Sequence, residues 1–216
     1  MPHTKKSNIL ITIFGATGDL TARKLLPALA NLYSEDYLPE NSKVIALGRR
    51  DFDDISYLHF VKSKNKKPGN LQLLTDFLVY KKIDILDHDQ YKELSRFLDE
   101  LGDENSLRLF YLAVAPDLFI PIASNLATSQ IVQNGANHHL LAFEKPFGTD
   151  LKSAKEINKV LQGYFTEKQI FRIDHYLGKE MIQNLLTVRF ANRILESTWN
   201  NQHIDSVKIY AKEDEG

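Results

Sequence analysis

The chain has 216 residues, room for one large domain or for one domain and part of another, and 27 Lys and Arg stand against 28 Asp and Glu. A formal net charge of −1 gives no bulk attraction to nucleic acid or to an anionic membrane, so any anion must be bound locally. Cysteine is absent, which removes disulfides, thiolate metal sites and cysteine nucleophiles together.

Short apolar runs alternate with helical patterns along the chain, the sequence form of repeated strand, helix, strand units around a parallel sheet. Ile9 to Phe14 reads as a buried first strand. Leu20 to Tyr33 reads as a helix, because Leu25, Leu26, Leu29 and Leu32 recur at three- and four-residue spacing. Val44 to Leu47 is the second strand, and Ile55 to Val61 and Leu71 to Leu78 look helical around a basic loop, Lys62 to Gly69. Ile83 and Ile85 give a weak third strand, Gln90 to Leu101 a helix, and Leu107 to Val114 a fourth strand that Pro116 ends. Leu118 to Leu126 is a helix, Leu140 to Phe143 a strand with His138 and His139 at its entrance, Leu151 to Phe165 a helix, and Gln169 to Ile173 a last strand. Farther on, Ile204 to Ala211 alternates as a half-buried strand does. The expected fold class is α/β, a Rossmann-like doubly wound parallel sheet over 1–173, followed at 174–216 by the start of an incomplete α+β domain.

No apolar run reaches the roughly 20 residues of a membrane span, and Met1 to Asn8 carries no apolar signal-type segment, so a soluble, cytoplasmic protein is expected. The seven histidines show no metal-ligand spacing with one another, and no metal is expected.

Three segments carry chemistry. Gly15-Ala16-Thr17-Gly18-Asp19-Leu20 follows the first strand and opens a helix. Gly15 permits a tight turn, Gly18 lets backbone approach a pyrophosphate, and the helix presents N–H groups to that anion. The second strand ends in Gly48-Arg49-Arg50, where an acid usually holds the ribose hydroxyls of NAD, and two guanidiniums there suit a 2′-phosphate. The alternative is a solvent-facing loop in which Arg49 and Arg50 pair with Asp51 or Asp53.

Glu144-Lys145-Pro146-Phe147-Gly148 leaves the strand end where such sheets bind ligands, and Pro146 restricts Lys145 to an extended conformation, so the ammonium is aimed by the backbone. A salt bridge between Glu144 and Lys145 is the plainer alternative. The nine residues Arg172 to Glu180 gather Asp174, His175, Tyr176 and Lys179. His175 and Lys179 are four apart and can share a helical face, and a helix starting at Gly178 to Lys179 would offer free N–H donors beside a full positive charge, a place for a phosphate or other anion.

Together these segments resemble the glucose-6-phosphate dehydrogenase family, and the likeness extends over nearly the whole chain, including Asn184 to Leu186, Arg189 to Asn192 and Trp199-Asn200. It departs at Ala115, where the family often has a proline, and at Ala46, where it often has glycine. The resemblance implies oxidation of glucose 6-phosphate at C1 by NADP to 6-phosphogluconolactone, the opening step of the oxidative pentose phosphate pathway. Gly15, Ala16, Thr17, Gly18, Asp19 and Leu20 would form the coenzyme fingerprint and Arg49 would meet the 2′-phosphate. Lys145 would touch both sugar and coenzyme. His175, Tyr176 and Lys179 would hold the sugar phosphate, and Asp174 would orient the catalytic base and stabilise its charge. The resemblance places that base, a histidine, beyond Gly216, along with a large sheet and a dimer interface. The 216 residues are therefore expected to be an N-terminal fragment with little or no turnover alone. The alternative is a non-catalytic NADP-binding fragment or a decaying gene product.

Overall fold

The structure, a computed structural model, describes residues 8–66, 69–103, 105–174 and 176–210. They fall into two compact units, Met1–Ile173 and Asp174–Gly216.

The first unit is built on six parallel strands, β1 (Ile9–Phe14), β2 (Lys43–Gly48), β3 (Leu78–Lys82), β4 (Leu107–Leu112), β5 (His139–Phe143) and β6 (Ile170–Arg172), in the order β3-β2-β1-β4-β5-β6. This is the doubly wound arrangement expected from the sequence, with its reversal of strand order between β1 and β4. Side chains alternate across a strand, so a sheet covered on both faces needs apolar residues at consecutive positions. β1 supplies them. Leu10 and Phe14 enter the core on one face with Ile45, Phe110, Leu112 and Phe143. Ile11 and Ile13 enter the other with Val44, Ala46, Tyr57 and Phe77.

The helices are α1 (Leu26–Ser34), α2 (Asp54–Ser63), α3 (Leu74–Phe77), α4 (His88–Leu101), α5 (Phe119–Thr128) and α6 (Leu151–Tyr164), and a π-helical turn, Thr21–Leu25, leads into α1. Asp53 and Asp150 cap α2 and α6, each accepting a bond from the N–H of a serine three residues on. The carboxyl ends of α1 and α5 carry paired closures: Tyr37 N–H to Leu32 O and Asp36 N–H to Tyr33 O in one, Ile131 N–H to Leu126 O and Gln130 N–H to Ala127 O in the other. The turn residues are Asp36 at φ 58° and Gln130 at φ 56°, left-handed positions that most often hold glycine.

One strand differs from the expectation. β3 lies at Leu78–Lys82, ahead of Ile83 and Ile85, and the helix expected over Leu71 to Leu78 shrinks to a 3-10 turn, Leu71–Leu73, and the single turn of α3. Leu78 leaves that turn extended, at φ −92° and ψ 130°. The strand is held by its register against β2 and by the Asp54 carboxylate, which accepts the Tyr80 N–H at 2.6 Å. Lys81 and Lys82 hide it in the sequence, because a strand at the sheet edge can turn charged ends to water.

In the second unit the described residues form α7 (Glu180–Ala191) and α8 (Arg193–Thr198). The strand expected over Ile204 to Ala211 is not seen over 204–210, and Ala211 lies outside the described residues. Val207, Ile209 and Tyr210 are 75, 88 and 81 % exposed, and no strand among the described residues of this unit offers a ladder to pair with. No helix among the described residues is long and apolar enough to cross a membrane.

Candidate functional site

Because all six strands are parallel, their carboxyl ends, and the loops that leave them, lie along one edge of the sheet. The loop after β1 is the tightest of these. Gly15 stands at φ 94°, and a Cβ there would fall 2.3 Å from the Ala113 carbonyl oxygen just past β4, so a side chain is excluded by both conformation and space. Gly15 and Ala16 donate their N–H groups to Leu47 O at the end of β2, at 3.3 and 2.9 Å. Thr21 Oγ1 and the Gly18 N–H close back on Gly15 O at 2.9 and 3.1 Å. The Gly15 to Leu20 segment is thus a turn folded over the reversal point, leading directly into helix.

A crevice of about 280 Å³ opens beside it, lined by Gly15, Thr17, Gly48 and Arg49, with Val114 and Leu118 on the β4 side. Ala16 is buried beneath this surface. Arg49 is exposed at the crevice. Arg50 turns the other way, its guanidinium 5.5 Å from the centre of the Phe60 ring. Neither acid of the alternative reading faces them: Asp51 meets Lys82 at 3.1 Å, and Asp53 caps α2. Asp19 directs its carboxylate to Arg23 at 3.7 Å and Lys64 at 3.3 Å.

Lys145 is exposed on the loop that leaves β5, along the same edge of the sheet, and its peptide bond to Pro146 is cis. Glu144 accepts a short hydrogen bond from the Tyr111 hydroxyl. Burial, and then that bond, push the Tyr111 phenol well above its ordinary range. The loop is fixed from below by Phe147, which packs on Phe119 and Phe143 with centroids 6.2 and 5.8 Å apart, and by Arg172 over the Phe147 ring at 5.1 Å. Gly148, at φ 86°, closes it onto α6, where a Cβ would lie 2.6 Å from Ala154 N.

In the second unit, the Asp174 carboxylate accepts the Tyr176 N–H at 3.1 Å, and Lys179 Nζ lies 4.0 Å from the centre of the Tyr176 ring. Lys179 is the N-cap of α7, so its ammonium stands at the expected helix start. Residues 176–178 form turns ahead of α7. His175 itself lies outside the described residues.

Two features escaped the sequence. Asp84, Ile85 and Leu86 line the same crevice, and placing β3 at Leu78–Lys82 would have marked them as its outgoing loop. The Tyr111–Glu144 pair joins neighbouring strands, a contact that no local pattern announces. As a whole, the edge fits a dinucleotide: a glycine turn too close for side chains, a helix start behind it, and an exposed guanidinium on the rim.

The comparisons agree. Residues 12–184 match the family model described as "Glucose-6-phosphate dehydrogenase, NAD binding domain". The chain is 38 % identical over 221 residues to a glucose-6-phosphate 1-dehydrogenase of Bacillus subtilis, covering 100 % of this chain and 45 % of the relative. It is 40 % identical over 216 residues to the enzyme of the same name from Kluyveromyces lactis, covering 95 and 43 %. A solved structure described as glucose-6-phosphate dehydrogenase in complex with its substrate glucose 6-phosphate superposes with a TM-score of 0.81 at 38 % identity, covering 94 % of this chain and 43 % of that one. The chain therefore spans less than half the length of the relatives it matches.

Proposed function

The chain belongs to the glucose-6-phosphate dehydrogenase NAD-binding domain family, and from that premise we propose that it carries the coenzyme-binding and part of the sugar-binding machinery of a glucose-6-phosphate 1-dehydrogenase. The reaction is oxidation of D-glucose 6-phosphate to 6-phospho-D-glucono-1,5-lactone, with NADP as the oxidant, in the cytoplasm. The observation that carries the reading is the glycine turn at the reversal point with Arg49 exposed over the same crevice.

NADP, when bound, accepts the hydride that leaves C1 of the sugar. Everything else falls to side chains and backbone. The Gly15 to Leu20 turn holds the pyrophosphate on N–H groups, and Arg49 neutralises the 2′-phosphate. Lys145 donates hydrogen bonds to the sugar and the coenzyme together, which fixes C1 against the hydride acceptor. By the family resemblance His175, Tyr176 and Lys179 anchor the sugar phosphate, a remote grip that positions C1. The proton of the C1 hydroxyl leaves for a histidine base, which Asp174 orients and whose positive charge it stabilises. The family resemblance puts that histidine outside these 216 residues and makes the complete enzyme a dimer.

Titration calorimetry of the 216-residue chain tests the coenzyme half of this reading: NADP binds, and NAD binds at least about ten-fold more weakly. Arg49→Ala brings the two affinities together by removing a charge-assisted bond of about 1.5–3 kcal/mol. No binding of either nucleotide to a folded chain overturns the reading. With glucose 6-phosphate added, the same chain is expected to form NADPH at least about 10²-fold more slowly than a complete enzyme, since a general base typically contributes about 10²–10⁴ in rate. Turnover at ordinary enzymatic rates would show that a base lies within these residues.

A further inference from the structure

Two buried phenols hold the loops that leave β1 and β2, and the proposed function gives them no part. Tyr57, on α2, and Tyr80, on β3, stack with ring centroids 4.7 Å apart. Both are buried, at 0 and 7 % exposure. A buried tyrosine hydroxyl needs a hydrogen-bond partner, and a core that wanted only the ring would be served by phenylalanine. Each hydroxyl here reaches a loop far away in sequence. Tyr57 Oη donates to Ala16 O, in the turn after β1, at 2.7 Å. Tyr80 Oη donates to Arg50 O, in the loop after β2, also at 2.7 Å.

We propose that Tyr57 and Tyr80 are positioning residues, a stacked pair that sets the backbone of the two coenzyme loops from beneath, Tyr57 for the pyrophosphate and Tyr80 for the 2′-phosphate. The inference rests on the coenzyme reading above. In a trans peptide the N–H points opposite to the C=O, so drawing the Ala16 carbonyl toward Tyr57 turns the Thr17 N–H to the other side, and Thr17 lines the crevice. Tyr80 brackets Arg49 from both sides. Its hydroxyl binds the carbonyl of Arg50, and Gly48 packs so closely on the same hydroxyl that a Cβ at Gly48 would lie 2.8 Å from it. The Asp54 carboxylate fixes the Tyr80 backbone, and Phe52 packs on both rings, at 6.0 Å from Tyr57 and 5.6 Å from Tyr80. The two phenols divide the work: one aims the anion-binding turn common to NAD and NADP, and the other aims the guanidinium that tells them apart.

The test measures dissociation constants of NADP and of NAD on the 216-residue chain, together with the melting temperature, for wild type, Tyr57→Phe, Tyr80→Phe and the packing control Phe52→Leu. Tyr80→Phe is expected to weaken NADP by about three- to ten-fold and leave NAD unchanged. Tyr57→Phe is expected to weaken both nucleotides by a common factor of about three- to ten-fold. Phe52→Leu is expected to lower the melting temperature and leave the NADP-to-NAD ratio at its wild-type value. A Tyr80→Phe chain that melts lower but keeps the wild-type ratio overturns the proposal, as does a Phe52→Leu chain whose ratio falls as far as that of Tyr80→Phe. A folded wild-type chain that binds neither nucleotide overturns the coenzyme reading and this proposal with it. A wild-type preference for NADP that Tyr80→Phe leaves intact overturns this proposal alone.

Discussion

A single imidazole shows how far environment can shift a side chain. His139 opens β5 at the end of the sheet opposite the crevice, buried, with Nδ1 accepting the Gln133 N–H at 3.1 Å. Burial is the larger cause, followed by the nearby charges of His138 and Arg108, and together they lower its pKa from 6.5 to about 4. Between those values the unfolded chain binds a proton that the folded chain refuses, so stability is whole above pH 6.5 and is lost as the pH falls through about 4. The loss is on the order of 1–2 kcal/mol, allowing for partial solvent screening. Urea unfolding at a series of pH values is expected to show it, and His139→Gln to flatten the profile over that window. At this scale the sequence was informative wherever local geometry sets the role. The turn at Gly15 could be read because a glycine between strand and helix has few other uses, and Arg49 could be placed at the carboxyl edge of the sheet because it directly follows the second strand. Tyr111 could not, since its partner Glu144 is a neighbour only once β4 and β5 lie side by side.

Among the elements, the helix ends show where the sequence departs from local preference. Gln130 and Asp36 occupy left-handed turn positions with side chains attached, at φ 56° and 58°. An L-residue pays roughly 1–2 kcal/mol for that conformation, and glycine avoids the cost while giving back about 0.5–1 kcal/mol through its freer unfolded state. Gln130→Gly is therefore expected to stabilise the chain by about 0.5–1 kcal/mol, read as a higher denaturant midpoint at unchanged slope. Asp36→Gly should gain less, because aspartate tolerates the left-handed region better than glutamine does. Strand periods made β1, β2 and β4 legible, for residues on both faces of those strands enter the two cores, and β5 shows as a short apolar run, Leu140 to Phe143. β3 was missed for the opposite reason: an edge strand with water on one side ends in Lys81 and Lys82, and the apolar Ile83 and Ile85 beyond it drew the strand forward. The expected strand at Ile204 to Ala211 failed differently, since alternation describes a face and supplies no neighbour to cover it.

For the molecule as a whole, strand order decides which parts of the chain must find each other late. Within one half of the sheet the pairings are comparatively local: Val44 faces Leu78, and Arg108 faces His139. Across the reversal point Ile9 faces Leu107, with the whole of β2 and β3 and their helices between them in sequence. Closing so long a loop costs more chain entropy, and contacts of that span slow folding. The β1–β4 seam is accordingly expected to form last, and the crevice is built on that seam, with Gly15 on one side and Val114 and Leu118 on the other. In a refolding time course, recovery of NADP binding should then follow the slowest phase and lag behind the return of helical signal. Binding that recovered with the early phase would show that one half of the sheet holds the coenzyme alone. A nucleotide that waits for the seam acts as a clock on assembly, marking the moment at which the two halves of the sheet join.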